Sequence, residues 1–284
     1  MKELIGVDIG GSNIEAGVVI SGKIENKSTK PVKSNLTYDQ VLNDLFECID
    51  EIFTKNTESI GVGVPAVVDP LKGIVYDVQN IPSWKEVPLK ELLLERYKVE
   101  VIINNDANCF ALGEKIYGQG IPFKNFIGLT LGTGIGMGVV INESLYNGVL
   151  CGAGEIGMIS YKESIVEDYA SSFFFTQKYG MQPLEAFNLA EKGDEKSILA
   201  FEDFGFHLGE AIKTILYLYA PEVIIIGGSI SKAYKYFQKS LHFSVDTFAY
   251  KKQLNNSQIK VFTNNTSPIL GAAALCLEKS NYKS

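Results

Sequence analysis

What this chain lacks narrows its function before any motif is read. Its four cysteines, Cys48, Cys109, Cys151 and Cys276, include no pair at C-x-x-C spacing. They read as reduced, buried, small apolar residues of a cytosolic protein. The net charge of −7 comes without any basic cluster. A nucleic-acid footprint normally shows as clustered Lys and Arg, so no nucleic-acid partner is expected. No apolar run reaches membrane-spanning length, and Met1 leads at once into the strand-like run Leu4–Ile9 rather than into a basic, then apolar, leader. The expectation is a cytoplasmic protein with no membrane partner. The glycine-rich turns lack the Gly-Lys-Ser/Thr of a Walker A loop. They also lack the helix that follows the glycines in a Rossmann fingerprint.

What is present is ordinary globular material: 46% hydrophobic and 21% charged residues over 284 positions, enough for two α/β lobes with a core each. Runs 3–9 and 14–20 read as strands joined by Gly10-Gly11-Ser12-Asn13. Thr37-Tyr-Asp-Gln40 is a capping box opening a helix whose apolar stripe runs from Val41 to Phe53. Strands follow at 59–64 and 99–104. The stretch 65–90 between them reads as a loop region ending in a short helix, and another helix runs over about 107–117. The second half restarts with strands 126–131 and 137–141 around Gly132-Thr-Gly-Ile-Gly136. Helices are expected near 166–179, 196–219, 231–247 and 269–279, and strands at 222–227 and 258–262. The strand–glycine turn–strand unit thus occurs twice, which suggests duplicated lobes facing each other across a cleft.

Both turns lack side chains where a phosphate would approach, and their N–H groups can form an anion nest, with Ser12 and Thr133 adding hydroxyls. Each turn alone is more often a plain hairpin in which Gly supplies positive φ. The repetition, and Asp8 placed to serve Mg2+ beside the phosphates, favour function. Asn104-Asn105-Asp106-Ala107-Asn108 lies where an apolar strand meets a helix, the usual place for catalytic groups in α/β proteins. Asp106 is either a plain N-cap or a base accepting a proton from an attacking hydroxyl. Glu155, between small residues, is either a sugar-hydroxyl acceptor or a solvated loop charge. Glu167 opens a helix, where an acid suits the dipole. Gly227-Gly228 at a strand end permits adenosine approach or a tight turn.

In order, these segments resemble the ROK family (repressors, open reading frames, kinases). Its pattern is matched by Asp8–Ser12, Gly61-Val-Gly-Val-Pro65-Ala66-Val-Val-Asp69, Asn80-Ile-Pro-Ser-Trp84, Asn105–Asn108 and Leu131–Gly136. It is matched further on by Gly154–Gly157, Glu167–Ser171, Gly227-Gly228 and Leu270–Ala273. The resemblance implies a two-lobed α/β actin/hexokinase-like (ribonuclease H-like) fold with a central cleft. Residues 1–107 plus 268–284 would form the N-terminal lobe and 108–267 the C-terminal lobe. It implies ATP-dependent phosphorylation of a hexose, glucose at O6 by default, with Asp106 as general base. Ala66, Asn80, Asn105, Glu155 and Glu167 would hold the sugar. Gly10, Gly11, Ser12, Asn13, Thr133 and Gly134 would cradle phosphates, Gly227 and Gly228 would line the adenosine site, and Asp8 would hold Mg2+ through water. A homodimer is implied as well. The alternatives are a kinase for an N-acetylated hexosamine or another hexose and, from a different class, a non-catalytic sugar-sensing regulator. Such regulators carry an N-terminal helix-turn-helix, for which the two residues before the first strand leave no room.

The chain departs from the family's Gly-Glu-Ile-Gly-His at Met158. Only eight residues, Ile159 to Val166, separate Met158 from Glu167, so the cysteine-bearing zinc loop is missing. A thioether is a poor Zn2+ ligand, and no zinc is expected. Ala66 in place of Gly and Ser12 in place of Thr are mild changes.

Overall fold

A computed structural model describes residues 2–10, 13–32, 35–262 and 268–278. The chain opens on the expected hairpin, β1 (Glu3–Ile9) and β2 (Asn13–Ile20), paired antiparallel from Glu3↔Ile20 to Ile9↔Ile14. A third strand, β3 (Lys23–Pro31), extends it along the outer edge of β2. Helix α1 (Tyr38–Asp50) starts at the capping box: Gln40 N–H donates to Thr37 Oγ1 at 3.4 Å, and Gln40 Oε1 accepts the Thr37 N–H at 2.9 Å. Its face Val41, Leu42, Leu45, Cys48 and Ile49 is buried, as the spacing predicts.

Strand β4 (Thr57–Val64) follows, then β5 (Val67–Asp69), β6 (Ile74–Tyr76) and β7 (Glu86–Val87), a small antiparallel sheet inside the stretch expected to be loop. Helix α2 (Leu89–Tyr97), strand β8 (Glu100–Asn105) and helix α3 (Asp106–Tyr117) complete this half. The main sheet has the order β3-β2-β1-β4-β8, with β1, β4 and β8 parallel.

The second half repeats the pattern. Strands β9 (Phe126–Leu131), β10 (Ile135–Ile141) and β11 (Ser144–Leu145) are followed by a tight hairpin, β12 (Ser160–Tyr161) and β13 (Ser164–Ile165). The helices are α4 (Val166–Ala170), α5 (Ser172–Phe174), α6 (Pro183–Ala190) and α7 (Glu195–Tyr219). Then come β14 (Val223–Gly227), α8 (Tyr234–Val245), α9 (Lys251–Leu254), β15 (Gln258–Val261) and α10 (Pro268–Leu275). The second sheet runs β11-β10-β9-β14-β15, with β9, β14 and β15 parallel. Three strands in sequence followed by two parallel additions is the same order in both sheets, so the duplication read from the two glycine turns extends to whole sheets.

The chain divides into two compact units, one made of Met1–Pro122, Gly138–Ala153 and Asn265–Ser284, the other of Phe123–Met137 and Gly154–Asn264. The first reaches past the boundary expected at 107, because α3 packs against α10. Cys109 and Leu112 of α3 share a core with Leu4, Ile102, Ile269 and Ala273. The C-terminal helix α10 belongs to this first unit. The second unit buries Phe174, Phe175, Phe201, Phe204 and Phe237 around α7 and α8. Among the described residues no helix is long and apolar enough to cross a membrane.

Candidate active site

In the first unit the parallel strands bring the acidic positions into one row. The register sets Asp8 of β1 opposite Gly63 of β4, and Gly63 opposite Asn104 of β8. Asn104, Asn105 and Asp106 therefore end one strand away from Asp8, across β4, at the carboxyl ends of parallel strands, the usual ligand position in such sheets. Gly63 lets α3 approach: a Cβ there would lie 3.1 Å from the Cys109 Sγ.

Asn105, not Asp106, is the N-cap of α3, and its side chain accepts the Ala107 N–H at 2.9 Å. Asp106 is the first helical residue, and its Oδ1 accepts the same N–H at 2.9 Å. The cap is already supplied, so the plain reading of Asp106 loses its force. Asp106 keeps an exposed surface, yet the protein around it raises its carboxyl above the ordinary value, opposed by hydrogen bonds from the Ala107 and Asp106 backbone. Solvent at the group makes the upward push weaker than full burial would give. Asp8 is half-buried and pushed up to about 7, first by desolvation and then by the charges of Asp106 and Glu15, with Lys27 opposing. The Asp8 carboxylate offers oxygen donors of the kind Mg2+ takes. Asp8 fits that ion.

Two residues with no assigned role in the sequence reading hold this corner. Asn104 is fully buried, and its Oδ1 accepts the Asn105 N–H at 2.7 Å and the Asn108 Nδ2–H at 2.9 Å. Its Nδ2 donates to Asn147 Oδ1 at 2.8 Å. The run of asparagines was the available signal; the partner Asn147 lies 43 residues away and had none. Asn105 Nδ2 also donates to the Ala66 carbonyl at 3.4 Å, bringing two expected sugar contacts together. Asn80 is half-buried in a turn, and no hydrogen bond joins it to Asn105 or Asp106 among the described residues. In the first turn the Gly10 N–H donates to the Asn13 carbonyl at 2.8 Å. Gly11 and Ser12 lie outside the described residues.

In the second unit the Gly132–Gly136 turn is tied to the segment after β13. Ile135 N–H donates to Glu167 Oε2 at 3.1 Å. Ser172 donates its N–H to the Gly132 carbonyl and its hydroxyl to the Thr133 carbonyl, each at 3.0 Å. Thr133 is exposed and Gly134 half-buried. Gly227 pairs with Thr130 across β14 and β9, so Gly227-Gly228 emerges beside the Gly132–Gly136 turn. Glu155 is exposed just before a 3-10 turn, and Met158 on that turn is 49% exposed. Beyond it β12 and β13 close on Lys162, and Tyr161 packs on Tyr169 and His207. Among the described residues no group of three or more His, Cys, Asp or Glu side chains is placed to hold a metal ion.

Known proteins with this sequence pattern and fold were compared with the chain. A glucokinase of Thermotoga maritima is 31% identical over 263 residues, covering 81% of this chain and 83% of its own. A xylose repressor of Bacillus subtilis is 28% identical over 96% of this chain and 77% of its own. The crystal structure of a ROK family glucokinase from Streptomyces griseus, in complex with glucose and AMPPNP, superposes with a TM-score of 0.83 at 25% identity. It covers 96% of this chain and 98% of that one. The solved fold is that of the two-lobed actin-like and hexokinase proteins. The family model described as ROK family matches residues 4–279. The chain belongs to the ROK family.

Proposed function

We propose that this chain is an ATP-dependent sugar kinase that moves the γ-phosphoryl group of ATP to a hexose hydroxyl, O6 of glucose by default, with Asp106 as general base. The observation that carries the reading is Asp106 itself: a solvent-reached carboxylate in the first turn of α3, with the N-cap supplied by Asn105 and its basicity raised by the protein packed around it. A raised carboxylate is the better proton acceptor once ionised.

Asp106 takes the proton of the attacking hydroxyl, while Asn105, Glu155 and Glu167 hold the other sugar hydroxyls, joined by Ala66 and Asn80. The backbones at Gly11, Ser12, Asn13, Thr133 and Gly134 hold phosphate oxygens through N–H groups, and Gly10, whose own N–H goes to the Asn13 carbonyl, closes the first turn around them. Such donors stabilise the charge spread over the transferring group without reorganising during the reaction. Gly227 and Gly228 leave room for the adenosine. Asp8 would hold Mg2+, which neutralises phosphate charge when bound. We also propose a cytoplasmic homodimer without zinc. Supporting the last point are the four dispersed cysteines and the β12–β13 hairpin that occupies the short Met158–Glu167 interval.

The sugar is tested by coupled ADP release over glucose, mannose, N-acetylglucosamine, N-acetylmannosamine and xylose. Sugar-dependent ADP release with at least one hexose supports the kinase. The xylose repressor likeness gives the regulator reading its one observation. Sugar binding with no ADP release from any member of the panel would favour that reading instead.

A further inference from the structure

The Gly132–Gly136 turn does not keep its shape by itself. A phosphate site needs N–H groups facing the ligand and carbonyl oxygens turned away or occupied, since a free carbonyl repels an anion. Three of the turn's carbonyls are occupied. Ser172 N–H takes that of Gly132, the Ser172 hydroxyl takes that of Thr133, and the Gly132 N–H takes that of Gly134, each at 3.0 Å. At the far end the Ile135 N–H is held by Glu167 Oε2 at 3.1 Å. Glu167 and Ser172 flank one short stretch, α4 and the start of α5, which breaks at the extended Ser171 (φ −138°, ψ −168°) so that Ser172 can face the turn.

The contact is close. A Cβ on Gly134 would lie 2.4 Å from Glu167 Oε2, so the carboxylate occupies the space a side chain would need. The other oxygen, Oε1, meets no donor among the described residues. One carboxylate therefore has one oxygen on the phosphate turn and one still open.

We infer that Glu167–Ser172 is a clamp that holds the Gly132–Gly136 turn in its phosphate-binding shape, with Glu167 as a positioning residue for the nucleotide as well as a sugar contact. The inference rests on the kinase reading. It adds that the sugar and nucleotide sites share this one side chain.

The test measures binding of ADP with Mg2+, by calorimetry with no sugar present, to wild type, Glu167→Gln and Glu167→Ala. Both variants lack the negative charge, so the repulsion between Glu167 and a phosphate cancels in their comparison. Gln offers a carbonyl oxygen to the Ile135 N–H and Ala offers nothing. The expected result is ADP binding at least about fivefold weaker in Glu167→Ala than in Glu167→Gln, the order that one lost hydrogen bond gives. Glucose or the preferred hexose should weaken in both. ADP affinities equal within twofold for the two variants overturn the clamp while leaving the kinase reading intact. A wild type that binds no nucleotide overturns both. Where Glu167→Ala melts early, Ser172→Ala decides. It removes only the hydroxyl bond to Thr133 and should weaken ADP at least twofold with hexose affinity unchanged; unchanged ADP affinity contradicts the clamp.

Discussion

Asp106 was conspicuous in the sequence, but the arrangement that frees it was not. The motif alone favoured the cap and the two glycine turns beside it favoured the base, and only the backbone at Asn105 (φ −63°, ψ 146°) assigns the cap to the neighbour. Asp8 was legible as an acid before a glycine turn. Its elevation to about 7 comes first from desolvation and then from Asp106, which reaches it through sheet register rather than through chain proximity. His207 had no signal at all. It is buried on α7, with Nδ1 3.0 Å from the Tyr161 hydroxyl, and it is surrounded by Tyr161, Tyr169, Phe174 and Phe206. Desolvation, with Lys162 and Lys178 adding, lowers it to about 4 against weaker opposition from Asp203 and Glu210. A histidine held neutral in the fold costs nothing above the unfolded value of 6.5. Below that pH the unfolded chain binds the proton first, and stability falls until the folded group also titrates near 4. The loss is on the order of 3 kcal/mol. Measured between pH 7 and 4, the stability of His207→Phe relative to wild type should therefore rise as pH falls. Parallel pH curves for the two proteins would remove His207 from this account.

Amphipathic elements were readable and edge or broken ones were not. The stripe of α1 and its capping box were plain because one face is buried and the other is not. Strand β3 was missed because Ser28 is its only buried residue; an edge strand of Lys, Glu and Asn carries no alternating apolar signal. The expected helix over 166–179 is broken at Ser171, and a π turn follows over Phe175–Tyr179. Local propensity cannot show that break, since its cause is the bond from Ser172 to a turn 40 residues earlier. At the other end of the chain α10 lies on the sheet so closely that a Cβ on Gly61 would sit 1.9 Å from the Ala272 carbonyl oxygen. Neither backbone can yield without moving the helix. Gly61→Ala should cost about 1–3 kcal/mol, the range of overpacked interiors. The check is the melting temperature, expected to fall by several degrees; an unchanged value would mean that α10 is not held this tightly.

At the level of the whole chain, the duplicated strand order is foreshadowed by two short glycine turns, and the ordered set of weak motifs carries the family resemblance. The boundaries were less visible. Residues 138–153 return to the first unit through contacts such as Asn104 to Asn147, which follow from tertiary packing and not from composition. The acidic balance of −7 bears on the proposed kinase: a polyanionic nucleotide on an acidic protein fits the proposed phosphate sites of backbone donors and a cation better than a basic surface. The central proposal is that the carboxylate at Asp106 does the proton transfer. Asp106→Asn keeps the shape and the Ala107 hydrogen bond but cannot accept a proton. The decisive measurement is kcat of Asp106→Asn against wild type on the preferred hexose, with hexose affinity taken from binding in parallel. The account predicts hexose affinity within a few fold of wild type and kcat lower by on the order of 10²–10⁴-fold, the usual contribution of a positioned base. A variant that retains more than about a tenth of wild-type kcat would contradict it.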